Sequence, residues 1–147
     1  MKTAEELTTL FRDQSLRVTP QRQAIFRMLH GNAGHPTVES LYDSARCEMP
    51  TISLKTVYQT VHDLEAMGEV SLLDLGTGSV RVDPNVEHAH HHLICSSCGK
   101  IRDVPVELPN LRVPARLRRG FSVSSVEVNF RGLCDDCAIR PPATGSQ

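Results

Sequence analysis

The chain has 147 residues, 39% of them hydrophobic and 4% aromatic, with no tryptophan and a net charge of −1. No apolar run is long enough for a helical membrane span or a secretory signal, so the sequence predicts a cytoplasmic chain with reduced thiols. Residues 1–83 carry 8 Lys/Arg against 11 Asp/Glu, and the remainder carries 8 against 6. This balance excludes a globally basic nucleic-acid binder and leaves room only for a local patch.

The first part reads as four helices closed by a hairpin. Leu7, Leu10 and Phe11 form a helical stripe after Thr3. Thr19-Pro20 combines an N-cap with proline at the first helical position, and Ile25, Met28 and Leu29 then face inward. Pro36-Thr37 starts a third helix with Val38, Leu41, Tyr42 and Ala45 inward, ending before Pro50. Ser53 caps a fourth, with Leu54, Val57, Val61 and Leu64 on one stripe and Lys55, Thr56, Tyr58, Gln59 and His62 opposite. Gly68 is placed to stop it. Val70 to Val82 holds two short strands around Gly76-Thr77-Gly78. Compact helices followed by a hairpin make a winged-helix pattern. The polar residues near the start of the fourth helix are suited to the edges of bases in a major groove.

Residues 84–88 contain a proline and no stripe, and read as a hinge. The second part reads as strands over His90–Ile94, Gly99–Val106 and Phe121–Phe130, with a short helix within Leu111–Arg119 limited by Pro114. Residues 139–147 read as a disordered tail. The predicted organisation is α+β: a winged-helix domain over 1–83, the hinge, and a small α/β domain over 89–138.

Two Cys-x-x-Cys knuckles frame the second part. Cys95 and Cys98 precede Cys134 and Cys137 by 35 intervening residues. Four thiols in two preorganised pairs have the spacing of a closed tetrahedral zinc site, which leaves no open position for catalysis. Cys47 stands apart and reads as a small buried or half-buried residue. Beside the first knuckle runs His88-Ala89-His90-His91-His92. On a strand, His88, His90 and His92 share one face and His91 takes the other. Zinc with four sulfurs is full, so the histidines suggest a second metal held by nitrogen and oxygen. Asp83 and Asp103 lie near in sequence, and such ligands suit iron, manganese or zinc alike.

Arg17-Val18-Thr19-Pro20-Gln21-Arg22, His35-Pro36-Thr37, Ser53-Leu54-Lys55-Thr56-Val57-Tyr58 and the run from His90 to Lys100 together resemble the Fur family of metal-dependent bacterial repressors. The resemblance covers about residues 5 to 137 and is strongest to the peroxide-sensing PerR branch. It implies a homodimer, joined through the α/β domain, that binds a palindromic double-stranded DNA operator. It implies structural Zn²⁺ on the four knuckle cysteines and regulatory Fe²⁺ or Mn²⁺ on His35, Asp83, His90, His92 and Asp103. Aspartate at 83 favours the peroxide branch, because iron-sensing members tend to carry glutamate there. With iron bound, His35 and His90 are the histidines the resemblance marks as oxidation-sensitive. Tyr58 and Gln59 are expected to meet bases, and Arg17, Thr19, Gln21, Lys55 and Thr56 the backbone or a flanking groove. Ala89 and Val126 stand where some members have histidine ligands for an additional metal, so no such site is expected.

An iron-, manganese- or zinc-level repressor of the same family is the alternative. More remote are a zinc-dependent hydrolase, for which no general base is grouped with the histidines, and a metal-storage or metallochaperone protein.

Overall fold

The computed structural model describes residues 1–76, 78–107, 111–124 and 126–139. The chain divides into two compact units, Met1–His88 and Ala89–Gln147. Residues 84–88, read as the hinge, fall at the end of the first.

The first unit contains α1 (Ala4–Asp13), α2 (Pro20–Leu29), α3 (Val38–Glu48), α4 (Leu54–Ala66), β1 (Ser71–Leu73) and β2 (Arg81–Asp83). Thr3, Thr19, Thr37 and Ser53 cap the four helices, each accepting from a backbone N–H three residues on. Each such cap contributes about 1 kcal/mol. Gly68 has φ 70 and ends α4 by taking a conformation that costs a side chain energy. Leu7, Phe11, Ile25, Phe26, Leu29, Leu41, Val57, Val61 and Leu64 form the core. Phe11 and Phe26 meet edge to face at 4.7 Å. Leu54, expected inward, is 37% exposed, because it is the first residue of its helix and overhangs the core. Thr60 is buried in that stripe, its hydroxyl satisfied by the Thr56 carbonyl at 2.7 Å.

β1 and β2 pair antiparallel with Leu72 opposite Val82. Thr37 bridges Arg81, and the Val82 N–H donates to the Pro36 carbonyl at 2.8 Å. The wing is thereby stitched to the start of α3, which completes a winged helix.

The second unit contains β3 (His91–Cys95), β4 (Ile101–Val104), β5 (Asn129–Gly132) and α5 (Asp135–Ala138). The strand order is β4-β3-β5, with β4 antiparallel and β5 parallel to β3. The fold is α+β, a winged-helix unit followed by a small α/β unit. The strand expected over Phe121–Phe130 is corrected to Asn129–Gly132: β3 is five residues long, and its register offers partners only from His92 to Cys95. The helix expected within Leu111–Arg119 is absent. Pro114 and Ala115 carbonyls instead accept from Leu117 and Arg118, three residues on, and Gly120 turns the chain with φ 81. The histidine-bearing strand starts at His91, so His88 and His90 precede it. Cys47 is exposed rather than buried; it lies on the outer face of α3 with its thiol toward the Asp43 carbonyl at 3.5 Å. From residue 140 onward the expected tail lies outside the described residues, as does Thr77 in the hairpin turn. No helix among the described residues is long and apolar enough to cross a membrane.

Candidate metal centres and nucleic-acid interface

The four knuckle cysteines converge. Cys95 ends β3, and a turn with Gly99 at φ 71 carries the chain back. Within that turn the Gly99 N–H donates to the Cys95 carbonyl at 3.0 Å. Cys134 caps α5, placing Cys137 one turn along. The parallel pairing of Cys95 with Gly132 brings the two knuckles side by side. The four Sγ atoms lie within 4.8 Å of one another, and Cys98 and Cys134 are 3.7 Å apart. Zinc at about 2.3 Å from each sulfur would separate tetrahedral ligands by ~3.8 Å, so the donor set and its spacing fit that ion. Backbone N–H groups of Cys98 and Cys134 pull the Cys95 thiol down to about 6, favouring thiolate. At Cys137 the Ser97 side chain acts downward, but the crowded thiols of Cys134 and Cys98 prevail and push it up to about 12. Thiols so crowded resist losing all their protons without a cation among them.

Nitrogen and oxygen donors gather in each unit. In the first, His35 is fully buried with φ 46, and Asp83 is 2% exposed. The His35 Nδ1 faces the Ala33 carbonyl at 3.2 Å. A carbonyl only accepts, so Nδ1 carries the hydrogen and Nε2 is left to face Asp83 Oδ1 at 3.7 Å. Asp83 Oδ1 also accepts from the Asn85 N–H at 2.8 Å. The stitch between wing and α3 is what sets the two residues side by side.

In the second unit, His92 lies on β3 directly opposite Asp103 on β4. His90 Nε2 is 3.1 Å from His92 Nε2 and 3.7 Å from Asp103 Oδ1. Two imidazole ligands at right angles on a metal about 2.1 Å away would stand ~3 Å apart, so this pair fits a shared ion. His91 has a different use, its Nδ1 accepting from the Val128 N–H at 3.3 Å. His88 is exposed.

On α4 the structure gathers Lys55, Thr56, Tyr58 and Gln59. Lys55 and Gln59 are exposed, as is Tyr58 at 39%. Thr56 is committed to the helix start through the Ser53 hydroxyl at 2.9 Å. The Tyr58 hydroxyl donates to Glu39 Oε1 at 2.5 Å; that bond raises the phenol pKa and lowers the carboxylate's. Arg17 is exposed, Gln21 is half-buried in the first turn of α2, and Thr19 spends its oxygen on the Arg22 N–H at 3.3 Å. Sequence reading missed Glu39 and Asp63 as partners of Tyr58 and Gln59. The spacing of Gln59 and Asp63, four apart on a helix, was the available signal.

Residues 13–131 match the model of the ferric uptake regulator family. The chain belongs to that family. A relative from Staphylococcus aureus, the peroxide-responsive repressor PerR, is 36% identical over 136 residues, covering 90% of each chain. The PerR of Staphylococcus saprophyticus is 35% identical over 134 residues, again with 90% of each chain covered. Among solved structures, a zinc-bound manganese uptake regulator superposes with TM-score 0.67 at 31% identity, covering 90% of this chain and 99% of the other. A family member from Streptococcus pyogenes, described in terms of peroxide sensing and gene regulation by PerR, gives TM-score 0.54 at 28% identity. It covers 93% of this chain and 94% of its own.

Proposed function

We propose that this chain is a homodimeric, metal-dependent transcriptional repressor that binds a palindromic DNA operator and leaves it when peroxide oxidises its metal ligands. The observation that carries the reading is the donor chemistry of the two units: His35 beside Asp83 in the first, His90 and His92 beside Asp103 in the second. On this reading all five are ligands of regulatory Fe²⁺ or Mn²⁺, while Cys95, Cys98, Cys134 and Cys137 hold structural zinc. The relatives named as peroxide-responsive repressors support the same reading.

His35 and Asp83 belong to the unit that carries α4, so occupancy of the site favours one arrangement of the DNA-reading surface. It does so only to the extent that this arrangement holds metal better than others. Operator DNA then tightens metal binding by the same factor. Held on these donors, ferrous iron would activate peroxide. In net terms one peroxide would deliver one oxygen to the imidazole of His35 or His90 and leave as water, the ring giving up two electrons and losing ligand strength.

The test is operator binding by the Fe²⁺ and Mn²⁺ forms before and after mild peroxide, on a duplex selected from a randomised pool, with mass spectrometry of the protein. One added oxygen on a peptide containing His35 or His90, with release of DNA from the iron form alone, is expected. Release without histidine oxidation would overturn the peroxide mechanism. A second reading, repression governed by metal level, is favoured by the likeness to the manganese uptake regulator. It predicts that the iron form stays on DNA after peroxide.

A further inference from the structure

We infer that Arg22 and Asp63 set the base preference of α4 by fixing which side of the Gln59 amide faces outward. The inference rests on the reading above, in which α4 meets the bases of an operator. Gln59 Nε2 donates to Asp63 Oδ1 at 2.9 Å, and the other carboxylate oxygen of Asp63 forms an ion pair with Arg22 Nη2 at 2.8 Å. The Arg22 and Asp63 side chains are each 14% exposed. The Arg22 guanidinium also lies over the Phe11 ring, 5.2 Å from its centroid, and Arg22 sits in the capped first turn of α2. The carboxylate is thus anchored from the core side at one oxygen and offers the other to Gln59.

A carboxylate held by a guanidinium has lone pairs to give and no proton. Whatever faces it must donate, so the amide nitrogen of Gln59 is turned toward Asp63 and the carbonyl oxygen away. The atom of Gln59 turned outward is therefore the carbonyl oxygen, an acceptor, with one N–H of Nε2 still to spare. In the major groove, adenine presents an N6 donor and cytosine an N4 donor, whereas guanine O6 and N7 and thymine O4 all accept. Gln59 accordingly selects adenine or cytosine on the strand it faces, through the exocyclic amine. An amide without Asp63 beside it could turn either side outward and would read both classes.

The experiment uses the full-length, Mn²⁺-loaded protein and duplexes enriched from a randomised pool. The position read by Gln59 is the one at which preference disappears in Gln59→Ala. At that position the wild type should favour adenine or cytosine over guanine or thymine by roughly three- to tenfold, the span of one net hydrogen bond. Replacing the favoured base by its analogue lacking the exocyclic amine should remove that margin. Asp63→Asn, whose amide can donate as well as accept, should bring the two classes within about twofold, while Asp63→Glu should keep the preference. Indifference at that base pair to the missing amine, tested on each strand in turn, overturns the inference. An unchanged profile in a folded Asp63→Asn also overturns it. If no sequence is enriched at all, the operator-binding reading fails and this inference falls with it.

Discussion

His35 bends the chain into a left-handed turn and sets its Nε2 3.7 Å from Asp83 Oδ1, with both side chains out of solvent. The pair is held by the strand that Arg81 and Val82 add beside Pro36 and Thr37. Asp83→Ala would leave the Asn85 N–H without the acceptor it has at 2.8 Å. The expected cost is about 1–3 kcal/mol of unfolding free energy in the protein without regulatory metal, measured by urea denaturation. Unchanged stability would mean that water reaches the pair freely.

Removing His92 tests the half-site in the second unit. His92→Ala should lower Mn²⁺ affinity at least ~100-fold, since losing a ligand exceeds the effect of losing a ligand's supporting partner. Zinc content should stay at one per chain, because the cysteines are untouched. Calorimetric Mn²⁺ titration alongside elemental analysis gives both numbers, and loss of zinc in this variant would contradict two independent sites.

Changing any one of Cys95, Cys98, Cys134 or Cys137 to serine should release zinc and unfold the second unit, since binding energy at such sites is folding energy. The core of the first unit is separate and helical, so most of the far-ultraviolet circular dichroism should survive. A variant that retained both zinc and the wild-type melting curve would contradict the four-cysteine zinc site.

Tyr58→Phe separates ring from hydroxyl. The ring can still meet a thymine methyl, but the bond to Glu39 is gone. Operator affinity should fall by less than about tenfold, whereas Tyr58→Ala should cost more and lower the ratio of operator to random-DNA binding. Equal losses from the two changes would assign the work to the hydroxyl alone.

Lys55 is exposed at the start of α4 and should act on phosphate rather than on sequence. Lys55→Ala should weaken operator and random DNA alike. It should also reduce the salt slope by about 0.9, the share of one phosphate that the protein no longer neutralises. A change in the preferred sequence would place Lys55 against a base.

Much of the first unit is legible in the sequence because its signals are local. Thr3, Thr19, Thr37 and Ser53 cap where their spacing from the following stripes places them, and Gly68 stops α4. The convergence of the cysteines is equally readable from two knuckles. What escapes is set by partners distant in sequence. The length of β5 is decided by how much of β3 is there to pair with, which nothing in Phe121–Phe130 encodes. Residue type suggests shelter for Cys47, but the direction in which it leaves α3 decides its exposure. Glu39 reaches Tyr58 only because α3 and α4 pack together, so the carboxylate that holds the phenol has no trace in the local pattern.

Residues 35–39 carry a metal-type donor at one end and the tyrosine's restraint at the other. Between His35 and Glu39 lie only Pro36, with a locked φ, and Thr37 and Val38, fixed by the cap and first turn of α3. Such a segment behaves as a short strut rather than a tether. An oxygen atom added to the His35 ring would have to be accommodated in a fully buried pocket, and the strut leaves little slack to absorb it. An oxygen on the His35 ring would therefore press on the same start of α3 that carries Glu39, the carboxylate holding Tyr58.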